Sequence, residues 1–216
     1  MTLFGEPRPA LPASLQRLGT FELDALRELA NIGAGHAATA LWHMTGLTVD
    51  ISVPTVSVAA RGAVADVVGD GTQPLVLVRL HASEPFIARL VIAMGEGTSR
   101  VLTNLLLGRT AAAHDWLDAL GSSAVKEVGN VLAAAYLDAL ASMTGWTINL
   151  STPDLVYARA RWAVELLAND HPAGDYALCL ETSLRVQGAE APVTAHVLLF
   201  PGPKAVTALL RELGVA

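Results

Sequence analysis

Four residues could act in pairs. Glu28 precedes Asn31 by three positions, and Glu127 precedes Asn130 by the same spacing. Residues three apart on a helix are surface neighbours, so each carboxylate and amide can act on one target. A carboxylate can pair with a cation, and an amide can hold a water through its donor and acceptor atoms. The pairs belong to one stretch written twice. Asp24-Ala25-Leu26-Arg27-Glu28-Leu29-Ala30-Asn31 is matched by Ser123-Ala124-Val125-Lys126-Glu127-Val128-Gly129-Asn130, at an offset of 99 residues. Met44-Thr45-Gly46 and Met143-Thr144-Gly145 keep that offset, as do Pro54 and Pro153. Internal duplication is the simplest account.

The elements that must carry these residues follow from periodicity. With Leu26 at zero on a helical wheel, Ala30, Gly33, Ala37, Ala40, Leu41 and Met44 fall within roughly 60° of it and make an apolar stripe. Asp24, Glu28 and Asn31 fall opposite. In the second copy Val125, Gly129, Leu132, Tyr136, Leu140 and Met143 make the stripe, with Ser123, Glu127 and Asn130 opposite. Each copy is therefore expected to present an acid–amide ladder to solvent from a long helix.

Ordinary readings compete with functional ones. A lone exposed Glu is commonly a solvated helix residue. Asn is a poor interior helix residue, so Asn31 and Asn130 each carry a small cost without a visible structural return. Asp24 and Ser123 could cap helix N-termini. Gly33 and Gly35 sit mid-helix with no preceding strand, which excludes a phosphate-cradling loop. Close helix packing explains Gly33, and Gly35 lies on the exposed side, where a partner could approach. His36 lacks a second ligand at metal-binding spacing. Trp42 falls on the ladder face, to meet a partner or be covered by another part of the fold. Cys179 reads as a buried strand residue.

The remaining elements follow in order. Residues 1–20 read as an irregular arm, and residues 21–216 as one domain built from repeats over about 21–110 and 111–216. The first helix spans about 22–45 and the second about 112–144. Strands are expected at 48–53 continuing over 56–65 with an edge or bulge at Pro54, at 73–81 and 85–94, at 146–150 continuing over 156–160 around Pro153, and at 176–186 and 191–200, with shorter helices at 98–108 and 203–213. Sequential hairpins with helices gathered on the faces mean α+β. The expected architecture is a duplicated helix–strand–strand–strand–helix repeat. Its two halves share a sheet of about six strands about a pseudo-twofold axis, with the two long helices on one face.

Composition narrows the function classes. The net charge of −6 and the lack of a basic stripe argue against nucleic-acid binding. A single cysteine excludes an intrachain disulfide and fits a reducing compartment. No signal-peptide core stands near the N-terminus. The longest stretch free of Asp, Glu, Lys and Arg, residues 29–49, confines its apolar residues to one face. A cytoplasmic protein without membrane insertion is expected.

The pattern Asp/Ser-x3-Glu-x2-Asn, with a proline 23 positions after the Asn, resembles the signature of the CheC/CheX/FliY phosphatases of chemotaxis. The resemblance covers about residues 20–214. Two motifs without the added switch-component domain of FliY are most similar to CheC. It implies hydrolysis of the phosphoaspartate on the response regulator CheY. Asn31 and Asn130 match the catalytic amide, Glu28 and Glu127 the acid, Asp24 and Ser123 the leading position, and Pro54 and Pro153 a structural proline. An acyl phosphate is already activated, so positioning and charge stabilisation dominate its hydrolysis. An Asn can hold water in line with phosphorus, and a Glu can pair with a lysine on the partner. No cofactor is expected on this chain, with a Mg ion expected on CheY. The resemblance also implies the deamidase CheD as a partner, and the internal repeat suggests a monomer. Three readings stay open: a phosphatase active at both copies, one active copy with the other docking only, and a non-catalytic CheY- or CheD-binding module related to FliM.

Overall fold

The computed structural model describes residues 20–60, 63–68, 73–110, 115–159, 176–189, 193–202 and 204–214. The elements run α1 Thr20–Thr45, β1 Val49–Ile51, β2 Thr55–Ala60, α2 Val64–Val68, β3 Pro74–Ala82, β4 Ala88–Gly95, α3 Glu96–Leu106, α4 Ala119–Thr144, β5 Asp154–Arg159, β6 Tyr176–Val186, β7 Val193–Pro201 and α5 Ala205–Glu212. Most of the expected arm, residues 1–19, lies outside the described residues.

The seven strands among the described residues form one antiparallel sheet in the order β1-β6-β7-β4-β3-β5, with β2 also paired to β6. β1 lies along Leu184–Val186 and β2 along Tyr176–Glu181, so they are two segments of one sheet position. The expected six strands are thus six positions holding seven segments. The halves interlock. β1 and β2 of the first half pair with β6 of the second, β5 of the second pairs with β3 of the first, and β4 meets β7 at the centre. β2 and β5 are the same six positions at the 99-residue offset.

Alternating side chains of the central strands feed two cores. Val76, Val78, Leu80, Leu90, Ile92, Met94, Leu178, Leu180, Val197 and Leu199 pack under α1, α3, α4 and α5. Leu75, Leu77, Val91, Ala93, Cys179, Leu198 and Phe200 face the other way, against α2. Both long helices therefore lie on one face of the sheet, packed against each other as well. Cys179 is the buried strand residue expected, and desolvation pushes its thiol up to about 11.

Several boundaries differ from expectation. The second long helix starts at Ala119, about seven residues later than its periodicity suggests, because Asp118 caps it: its carboxylate accepts the Gly121 N–H at 2.7 Å. Val64 and Ala65 turn into the short α2, whose apolar residues cover the second core. Residues 85–87 belong to the turn before β4 rather than to the strand. Of 146–150, only Leu150 makes a bridge, to Ala82.

Candidate active site

α1 and α4 are each 26 residues long and stand at the 99-residue offset from end to end. Their apolar stripes are buried as the wheel requires: Leu26, Ala30, Ala37 and Leu41 in one, Val125, Leu132, Tyr136 and Leu140 in the other. Packing rather than propensity holds α1. Gly33 and Gly35 each weaken a helix by about 1 kcal/mol relative to alanine. Burial of leucines such as Leu26, Leu29 and Leu41 returns about 1.5–3 kcal/mol each. A Cβ on Gly33 would stand 2.4 Å from the Tyr136 ring, and one on Gly129 would stand 2.5 Å from the Val78 side chain. Both glycines mark close approach, Gly33 between the helices and Gly129 between α4 and the sheet. Gly35 is exposed with open space around it, and Trp42 is half exposed, so no described part of the fold covers it fully.

Both helices stop in the same way. Gly46 and Gly145 take left-handed backbone, with φ 67° and 72°, and their N–H groups reach Trp42 O and Ala141 O at 2.8 Å. Thr45 Oγ1 donates to Leu41 O and accepts from Leu47 N, as Thr144 Oγ1 does with Leu140 O and Trp146 N.

The ladders lie where the sequence puts them. Glu28, Asn31 and Glu127 are exposed, and Asn130 is half-buried. Among the described residues none of these four side chains makes a hydrogen bond or ion pair, so both pairs stand open to a partner. Each helix brings its Glu and Asn to one face, and no polar contact links one ladder to the other. Asp24 is not an N-cap: it sits in the second turn and pairs with Arg27 at 2.8 Å. Ser123 is not one either, since Asp118 holds that place.

Pro54 is buried and Pro153 half-buried, each at a break in an edge position of the sheet. A proline lacks the N–H that a ladder needs. The residue that manages each break escaped the sequence reading. Ser52 N donates to Ser183 O at 2.9 Å, while Ser52 Oγ accepts from Ser183 N at 3.0 Å. Ser151 repeats this on His81, with its N donating at 2.9 Å and its Oγ accepting at 3.0 Å. In both a side-chain oxygen replaces a backbone carbonyl, which lets the chain leave the sheet before the proline. The recurrence of Ser at the 99-residue offset was the available signal. The break before β5 runs beside α4. Asp154, next to Pro153, has its carboxyl held below the usual range, first by the Arg79 guanidinium and in small part by Lys126, next to Glu127.

Among the described residues no group of three His, Cys, Asp or Glu side chains could hold a metal ion. No helix among them is long and apolar enough to cross a membrane.

Comparison with known proteins now bears on these helices. The CheC-like family model matches the chain twice, over residues 21–58 and 120–157. Each match begins at the second residue of a long helix and runs past the proline. Over these two segments the chain is similar to the CheC-like family. The CheY-P phosphatase CheC of Bacillus subtilis is 27% identical over 198 residues, which is 90% of this chain and 95% of that protein. Among solved structures, Thermotoga maritima FliY superposes with a TM-score of 0.73 at 22% identity, covering 92% of this chain and 98% of that one. The FliM middle domain from H. pylori superposes at 0.61 with 11% identity, covering 90% and 99%. At such identities the structural likenesses establish the α+β fold alone.

Proposed function

We propose that this CheC-like chain accelerates hydrolysis of the phosphoaspartate of a CheY-type response regulator. The observation that carries the reading is the state of the two ladders. Glu28 with Asn31, and Glu127 with the half-buried Asn130, are intact and, among the described residues, without partners on equivalent helices. A relative that matches 90% of this chain, CheC of Bacillus subtilis, is named a CheY-P phosphatase.

The reaction requires little covalent chemistry from the protein. Water attacks phosphorus in line with the aspartyl oxygen. A new bond joins the water oxygen to phosphorus as the phosphorus–oxygen bond to aspartate breaks, the aspartate leaves as a carboxylate, and both protons of the water go to the inorganic phosphate, which can pass one to solvent. Positioning and charge stabilisation supply the acceleration. The amide of Asn31 or Asn130 accepts from and orients the attacking water. The carboxylate of Glu28 or Glu127 pairs with a cation of the regulator and fixes the docking register. The Mg ion belongs to the regulator and neutralises charge on the phosphoryl group when bound there. The same reading makes the protein a cytoplasmic monomer with CheD as a partner.

The test is loss of phosphoryl label from a phosphorylated cognate CheY, with wild type, Asn31→Ala, Asn130→Ala and the double variant. Acceleration by wild type and none by the folded double variant is expected. No acceleration by folded wild type, with CheD present as well as absent, would favour a FliM-like binding module instead.

A further inference from the structure

Each long helix carries a large apolar side chain in the open on its second residue. Phe21 is 80% exposed and Leu120 is 58% exposed. One exposed apolar side chain on a monomer is unremarkable. These two occupy the same position at the 99-residue offset, and that recurrence calls for a cause. Other exposed apolar residues do not recur: Trp42 and Val53 correspond to Ala141 and Thr152.

Their placement points to the ladders. Phe21, Asp24, Glu28 and Asn31 are spaced three, four and three apart, as are Leu120, Ser123, Glu127 and Asn130. That spacing keeps all four on one helix face. At 1.5 Å of rise per residue, the apolar group stands about 10 Å along the axis from its Glu and about 15 Å from its Asn. Each face therefore runs from an apolar end, through a carboxylate, to an amide.

We propose that Phe21 and Leu120 are docking anchors for the receiver surface of the phosphorylated regulator, each seated on an apolar patch about 10 Å from the cation that meets the Glu. This deepens the proposed function and rests on it. An exposed carboxylate sets register and association rate but contributes little affinity on its own. A desolvated aromatic or aliphatic anchor supplies what the charge pair does not. The regulator is favoured over a second copy of this chain as occupant. With a net charge of −6, a second copy would lay one acidic ladder against another.

The experiment uses the full chain with Phe21→Ser, Leu120→Ser, both together, and the exchange Phe21→Leu with Leu120→Phe. Steady-state phosphoryl loss is measured across regulator concentration, alongside thermal unfolding and light scattering. The double serine variant is expected to raise KM about 10-fold, with kcat within about twofold and the melting temperature unchanged. The exchange variant should keep the wild-type KM. An unchanged KM, a fall in kcat alone, or a lowered melting temperature would overturn the proposal. So would a wild-type dimer that the serine variant dissolves without a change in KM. If wild type does not accelerate phosphoryl loss, the phosphatase reading fails first. Affinity for a regulator loaded with beryllofluoride, a stable acyl-phosphate mimic, then tests the anchors separately, and equal affinity of wild type and double variant sinks them.

Discussion

The two long helices share a length, a C-terminal stop and a ladder, yet differ in how their N-terminal halves are tied down. At the start of α4, Asp118 accepts the Gly121 N–H and receives the Arg109 guanidinium at 2.9 Å. Gly121 lies so close beneath the Trp116 carbonyl that a Cβ would stand 1.8 Å from it. The residues at the corresponding positions of the first copy are Gly19 and Glu22. A glycine has no side chain to accept an N–H, and a glutamate carries the Cβ that such a close approach forbids. The first ladder instead carries an exposed Asp24–Arg27 pair, and Asn31 is exposed where Asn130 is half-buried. Duplication has kept the Glu–Asn pairs and how each helix ends, while the residues at the helix starts have diverged. The Asp118 cap thus ties down the start of the helix that carries the second ladder.

The largest test of that difference is kinetic. Pre-organised geometry lowers the barrier, and a misplaced reacting group loses on the order of 100-fold in rate. Asn130→Ala should remove the greater share of the phosphoryl-loss rate, and Asn31→Ala the smaller share. The reverse order, measured on folded proteins, would separate rate from the anchoring of the helix start.

A smaller effect is expected on stability, and it too should be unequal. Gly129→Ala drives a methyl into Val78, a short branched side chain on a central strand with nowhere to swing. Overpacking of this kind destabilises by about 1–3 kcal/mol, partly offset by the better helix propensity of alanine. Gly33→Ala meets the flat ring of Tyr136, which can tilt, so its denaturant midpoint should fall less. Equal shifts would mean that the two helices are equally tolerant of displacement.

The ladders were legible in the sequence because each helix has a single apolar stripe, and the wheel fixes both faces once Leu26 or Val125 is placed. The duplicated register paired Pro54 with Pro153, and both mark breaks in the sheet. The start of α4 was not legible, because apolar residues such as Trp116 and Leu117 continue the helical period into a turn that the Asp118 cap ends. Ser52 and Ser151 escaped because their side chains act on strands more than 65 residues away in sequence, which no local pattern reveals. The interlocked pairing of β2 with β6 and β5 with β3 is likewise a tertiary choice that strand periodicity leaves open.

The cap offers a pH test. The Gly121 N–H, and after it the Arg109 guanidinium, hold the Asp118 carboxyl below its ordinary value of 3.8. A depressed carboxylate stabilises the fold above its unfolded-state value and loses that contribution as pH falls through the folded one. Asp118→Asn keeps a capping oxygen but loses the charge. Wild type should resist denaturant better at pH 7, and the two should converge below about pH 4. A constant gap down to pH 3 would remove the Arg109 pairing from the account of how α4 is anchored.

The smallest expected effect comes from giving the first ladder the leading residue of the second, Asp24→Ser. Both partners of the Asp24–Arg27 pair are more than half exposed, so losing it should change stability by about 0.5 kcal/mol or less. Ser123 already stands at this position beside an intact Glu127 and Asn130. If the leading residue does no more than occupy the helix surface, the exchange leaves phosphoryl loss within about twofold in an Asn130→Ala background, where only the first ladder works. A fall of tenfold in that background would place the Asp24 carboxylate on the regulator. The first ladder would then dock with two acids where the second uses one, and exposure rather than anchoring would be what distinguishes the two copies.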